Sequence, residues 1–286
     1  MTTVRQRSPR VASDRSQQLT IEAAFHVDKS TQPEESDAVP RTTIHTPTLY
    51  KHTADQSRSL ISISMAPMKL YGWVVSPWMA RARVCLEEAG AEYEIVPMSR
   101  NGGDHRRPEH LARNPFGEIP VLEDGDLTLY QSRAIARHVL RKYKPELLLA
   151  GDLAGSAAVD VWIDVEALQL EPVVLPIVVN CIIGPYVGRP RDQAAVDENL
   201  AKLKTVLEVY EARLLASKYL AGDDVTAADL CHFGFMRYFM ATEYAGVVDA
   251  YPHVKAWWDA LLARPTVQKV MADMPPDFGF GSGNIP

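Results

Sequence analysis

Residues 69–90 read KLYGWVVSPWMARARVCLEEAG, and their punctuation decides the fold of the first half of the chain. Lys69 to Val75 is a short apolar and aromatic run with the length of a strand. Ser76-Pro77 then opens a helix that runs to Gly90, with Ser at the N-cap, Pro in the first turn and Gly past the end. Tyr93 to Met98 is a second strand, so the unit is strand, helix, strand, which requires the two strands to be parallel.

Outward from that unit comes a polar loop with Gly102 and Gly103, then a short helical turn near Pro108 to Arg113. Ile119 to Leu122 and Leu127 to Tyr130 flank the turn Glu123-Asp124-Gly125-Asp126, a hairpin signalled by Asp-Gly. Ser132 caps a further helix ending near Tyr143. The order βαβ, then ββα, is the thioredoxin-like arrangement, an α/β domain expected over residues 65–147. Beyond a linker at 144–155 no strand pattern appears. Leu200, Leu203, Leu207, Tyr210 and Leu214 recur at steps of three and four and line a core face of a helix whose end Gly222 marks. Thr226 and Asp229 form a Thr-x-x-Asp cap ahead of another helix, and Pro252 and Pro265 each suit a first helical turn. Residues 156–275 are therefore expected to be all-helical. Residues 1–64 are rich in Ser, Thr, Gln and Asp with no apolar period, and read as a disordered extension upstream of a functional start at Met65. Arg5, Arg7, Arg10 and Arg15 give that stretch some transit-peptide character, which its acidic residues spoil.

The 286 residues, 47% hydrophobic and 23% charged, suffice for two domains with cores of their own. A net charge of -6 argues against a nucleic-acid partner. Cys85, Cys181 and Cys231 stand far apart in sequence, with neither a Cys-x-x-Cys pair nor zinc-ligand spacing, and suit a reducing compartment. His105 and His110, five apart, lack metal-site geometry, and no metal is expected. The longest apolar run, Val173 to Ile183, is interrupted by Pro176 and Asn180, so no membrane span is expected.

Six segments carry a resemblance to the phi class of plant glutathione transferases, especially cereal members: MAPMKLYG (65–72), RNPFGEIP (113–120), EDGDLTL (123–129), SRAI (132–135), VDENLAKLKTVLEVYEAR (196–213) and DAYPHVKAWW (249–258). The resemblance covers Met65 to about Met274. It implies a thioredoxin-like domain followed by an all-helical domain, no cofactor, and glutathione as co-substrate conjugated to hydrophobic electrophiles in detoxification and stress response. It further implies a peroxidase side activity, a homodimer and a cytoplasmic location, a plastid being the alternative if residues 1–64 direct import. On spacing alone Ser76 is an N-cap; the resemblance makes it the residue that donates its hydroxyl hydrogen to the glutathione sulfur. Arg81 matches a supporting arginine, its bland reading being a solvated helix charge. His105 and Arg106 resemble a clamp for the glycine carboxylate. Ile119 would pair its backbone with the cysteinyl backbone ahead of a cis Pro120, and Ser132 would receive the γ-glutamyl carboxylate with Gln131 beside the amino group.

Three positions depart from the family pattern: Arg106 for a usual lysine, Glu118 for a usual glutamine, and Gln131 for a usual glutamate. Glu118 is expected to repel the glycine carboxylate and to weaken glutathione binding. Trp78, Met79 and residues around Leu168 to Val179 are candidates for an apolar electrophile site, although such residues are more often core. Phe116 is a candidate dimer anchor or simple intradomain packing. The alternative function is a non-catalytic carrier of apolar small molecules, made credible by the Glu118 and Gln131 exchange. A thiol transferase or dehydroascorbate reductase would need a cysteine where Ser76 stands.

Overall fold

The computed structural model describes residues 67–281, so the expectations for residues 1–64 lie outside the described residues. β1 (Met68–Gly72), α1 (Pro77–Glu88) and β2 (Tyr93–Pro97) form the parallel unit. A 3-10 turn at Asp104–Arg106 and the short α2 (Pro108–Arg113) lead to β3 (Val121–Asp124) and β4 (Leu127–Tyr130). Both are antiparallel to their neighbours, and the sheet order is β2-β1-β3-β4, with α3 (Ser132–Tyr143) following β4. Leu70, Leu86, Leu122, Ile135 and Val139 are buried together between the sheet and α1 and α3. Burying each such side chain is worth about 1.5–3 kcal/mol against leaving it in water.

β1 stops at Gly72, short of the expected Val75, because the chain must turn to start α1. The Ser76 N–H closes that turn on the Trp73 carbonyl at 3.0 Å. β3 likewise begins two residues later than expected, at Val121. The register aligns Tyr71 with Val121 and Val121 with Tyr130, and Gly72 with Pro97. The chain segments next to that row, including Ser76, Pro120 and Gln131, therefore leave the sheet at one end, which is where the candidate site lies.

The rest is helical. Leu153–Tyr186 is one continuous helix of 34 residues, α4, long and apolar enough by length and composition to cross a bilayer. The helix passes through Pro176 and Asn180, the two residues that interrupt the apolar run in the sequence. Turns of π-helix at Glu166–Leu170 and Val179–Ile183 carry the helix into Pro172 and on to Pro185, since a wider turn absorbs the clash a proline ring makes with the preceding turn. More than half of its apolar window is buried inside the protein, as in the core helix of a folded domain. α5 (Gln193–Ala216) buries Leu203, Leu207, Tyr210 and Leu214 along one face. It ends at Ala216, six residues before Gly222; that glycine instead pairs with Tyr219 in an isolated bridge.

α6 (Ala227–Cys231) starts on the expected capping box of Thr226 and Asp229. α7 (Phe233–Phe239), α8 (Pro252–Leu262) and α9 (Pro265–Met271) complete the element order, the last two opening on proline as expected. α7 packs so closely on the start of α1 that a Cβ on Gly234 would lie 2.1 Å from the Pro77 carbonyl oxygen. The fold also brings Cys85 and Cys231, distant in sequence, together as free buried thiols.

Candidate functional site

Ser76 is the N-cap of α1, and its Oγ accepts the Met79 N–H at 3.4 Å. An oxygen that accepts from the helix leaves its own hydrogen available to a further acceptor. The Tyr238 hydroxyl donates to the Val75 carbonyl at 2.5 Å, so α7 fixes the peptide just before Ser76. Ser76 itself is fully buried.

One turn on, Arg81 is not a solvated helix charge but one of the largest fully buried side chains. Its Nη1 donates to Ser132 Oγ at 2.8 Å, its Nε to the Cys231 carbonyl at 3.0 Å, and its Nη2 to Glu166 at 2.5 Å and Glu171 at 3.0 Å. Burial opposes the charge, yet the two carboxylates win and hold the guanidinium above its ordinary pKa. Arg133 also pairs with Glu166, at 2.5 Å, and with Glu171. Two cations thus meet two carboxylates with every charge compensated, as buried ions require. Trp78 Nε1 donates to the other Glu171 oxygen at 3.0 Å, and its ring meets Phe235 edge-on.

Ser132 was expected to cap α3. It is instead the first helical residue; the cap position is Gln131, which makes no side-chain cap bond. With Arg81 donating to its oxygen, the Ser132 hydroxyl hydrogen is left to point at a ligand beside the unpaired N–H groups of the first turn. Gln131 lies at φ 72°, a costly backbone for a residue with a side chain. Its Nε2 donates to Glu118 Oε2 at 3.3 Å. The two exchanged positions are direct partners across the site. The Glu118 carbonyl is held by His110 Nε2 and Asn114 Nδ2, each at 2.9 Å.

The Ile119–Pro120 bond is cis, and Ile119 packs over Gly72 at the end of β1. His105 stands edge-on to Trp73, and its Nδ1 is buried with no hydrogen-bond partner. Burial first, then Arg106 and Arg100, push its pKa down, so the ring is neutral at pH 7 and the charge of this pair resides on Arg106. Arg106 donates from Nη1 to the Phe116 carbonyl at 3.2 Å. Gly117 is required there: a Cβ would meet that Nη1 at 2.8 Å and the His105 carbonyl at 2.9 Å.

Met79 does not face a second site. It is fully buried in the core of the first domain against Gly72, because the α1 side that carries it points to the sheet. Of the α4 candidates, Val173, Val174, Ile177 and Val178 are core, whereas Leu168 is exposed. Phe116 is 62% exposed, and its ring meets Tyr130 edge-on. Arg133, Glu166, Glu171 and Tyr238 were missed in the sequence. No local signal set Glu166 apart, since Asp160, Asp164 and Glu171 lie on the same helix.

A serine held at a helix N-terminus on a thioredoxin-like domain, with a cis-proline and a second, charge-coupled helix N-terminus, defines the class of enzymes that handle a peptide thiol without a cysteine of their own. Residues 66–141 match the family model of the glutathione S-transferase N-terminal domain, and residues 170–265 that of the C-terminal domain. Glutathione S-transferase 4 of Zea mays is 64% identical over 208 residues, 73% of this chain and 93% of that protein. Probable glutathione S-transferase GSTF2 of Oryza sativa is 57% identical over 74% of this chain and 99% of that protein. Among solved structures, glutathione S-transferase I from mais, in complex with an atrazine glutathione conjugate, shares 56% identity with a TM-score of 0.72 over 74% of this chain and 99% of its own. The chain belongs to the glutathione S-transferase family, in its plant phi class.

Proposed function

We propose that the protein conjugates reduced glutathione to hydrophobic electrophiles, with Ser76 holding the thiol as thiolate. The observation that carries the reading is the Ser76 hydroxyl, anchored by the Met79 N–H with its own hydrogen unspent. A thiol like that of free cysteine has a pKa near 8.5, and lowering it by about two units requires roughly 2.7 kcal/mol. One hydrogen bond to an anion supplies about 1.5–3 kcal/mol and the α1 N-terminus adds to it. The hydroxyl and the helix together suffice.

Ser132 and the α3 N-terminus are placed for one carboxylate of the peptide, and Arg106 with His105 for the other. Trp78 and Leu168 are candidates for the apolar side of the site, and the relative that holds an atrazine conjugate supports an aromatic electrophile. The exposed Phe116 supports a homodimer in which that ring is covered. No observation favours the carrier alternative: the exchange of Glu118 and Gln131 that made it credible is a matched pair in the structure.

The test is glutathione-dependent displacement of halide from a chloronitrobenzene by the full chain and by Ser76→Ala. Saturable turnover that falls about 100-fold or more in Ser76→Ala is expected, the loss of about 3 kcal/mol of anion stabilisation. Equal turnover by the variant would remove Ser76 from the mechanism.

A further inference from the structure

Glu118 is an exposed carboxylate that makes no ion pair among the described residues, although Arg106 and Arg113 lie on the same stretch of chain. It is nevertheless firmly placed. Two side chains, His110 and Asn114, clamp its carbonyl, and Gln131 donates to its Oε2 at 3.3 Å. Gln131 in turn occupies a strained backbone at the junction of β4 and α3, directly before Ser132. Strain of this kind persists where surrounding structure enforces it, and it clusters at binding sites.

The peptide thiol itself says what such a carboxylate is for. At its γ-glutamyl end glutathione carries an ammonium and a carboxylate on the same carbon; at its other end it carries only a carboxylate. With the α-carboxylate at Ser132 and the α3 N-terminus, the ammonium lies within about 4 Å of it, the reach of two or three covalent bonds. Arg81 donates to Ser132 Oγ and its charge is already met by Glu166 and Glu171; at the preceding position stands the Gln131 amide, with the Glu118 carboxylate that amide holds. A neutral amide gives the ammonium a dipole; only the carboxylate gives it a counter-charge.

We infer that Glu118, held by Gln131, recognises the α-ammonium and sets the preference for peptides that carry it. Glu118 then attracts the γ-glutamyl end rather than repelling the glycine end. This rests on the transferase reading above, because it assumes that the peptide lies with its γ-glutamyl end at α3.

The experiment compares glutathione with glutaryl-cysteinyl-glycine, which keeps the thiol and both carboxylates and lacks only the amino group. Dissociation constants for both are measured by calorimetry on the full chain, on Glu118→Gln and on the double exchange Glu118→Gln with Gln131→Glu. The wild-type chain is expected to prefer glutathione about tenfold, Glu118→Gln to narrow that ratio to about twofold, and the double exchange to restore it. A ratio unchanged in Glu118→Gln, or tighter binding of both peptides alike, would overturn the inference. Turnover of the chloronitrobenzene on the same samples reports on the transferase reading separately. Discrimination in binding without turnover keeps the inference and sinks that reading.

Discussion

His232 shows how one side chain ties stability to pH. It is fully buried between α6 and α7; its Nδ1–H donates to the Ala228 carbonyl at 2.6 Å, so Nε2 is the acceptor for the Tyr210 hydroxyl at 2.8 Å. Both ring nitrogens are spoken for in the neutral form, and burial pushes the pKa down to about 3. In the unfolded chain the same ring takes a proton near pH 6.5. The folded pKa is the lower one, so this group's share of stability is whole above about pH 6.5 and is lost as the pH falls towards 3, at about 1.4 kcal/mol per unit. His232→Gln keeps polar atoms but does not titrate. It should be less stable than wild type at pH 7, and the gap should shrink by about 2 kcal/mol at pH 5 in urea unfolding. A gap equal at the two pH values would mean that His232 protonates in the folded protein.

Among the elements, α6 is five residues long and too short to stand without its cap. Asp229 accepts from the backbone of Thr226 at 2.8 Å and of Leu220 at 2.9 Å, from the Thr226 hydroxyl at 3.1 Å and from Trp257 Nε1 at 2.9 Å. It joins α6 to the chain after α5 and to α8 at once. Thr226→Val should cost about 1 kcal/mol, the worth of a capping hydroxyl, whereas Asp229→Ala leaves several buried donors unpaired and should cost 3 kcal/mol or more, roughly. Thermal midpoints of the two variants rank them, and equal midpoints would refute the ranking. This cap was legible in the sequence because Thr226 and Asp229 lie three residues apart, and the Asp-Gly hairpin and the proline helix starts were legible because their signals are local too. Gly222 misled because a helix stop was inferred from residue type alone. The chain after α5 is organised by Arg213 Nε donating to the Leu220 carbonyl at 2.8 Å, a tertiary turn with no local signature. Pro176 misled for the opposite reason: it breaks the apolar run in the sequence, yet the helix passes through it, with π-turns on either side and Val173, Val174, Ile177 and Val178 buried on one face.

At the scale of the molecule, the two domains meet in the cluster of Arg81, Arg133, Glu166 and Glu171, whose partners are 33 to 90 residues apart. Separations of that size explain why Ser76 and Ser132 were legible through motif and punctuation while the acids that serve them were not. The cluster does two jobs through the same atoms: it closes the domain interface, and through Arg81 Nη1 it orients Ser132. Glu166→Gln separates these from a merely structural role. The amide preserves shape but leaves the cluster with two cations against one anion, and Arg81 is fully buried, where solvent screens the excess weakly. The expected result is a loss of about 3 kcal/mol of stability together with a rise of about fivefold in KM for glutathione at little-changed kcat. Ser76 still holds the sulfur, but the arginine that positions Ser132 has lost its strongest partner. Pairing Glu166→Gln with Arg133→Met removes the excess charge while leaving Arg81 with Glu171, and should recover part of both losses. Recovery of stability with no recovery of KM would show that Arg81 acts on the interface alone and that Ser132 orients itself without it.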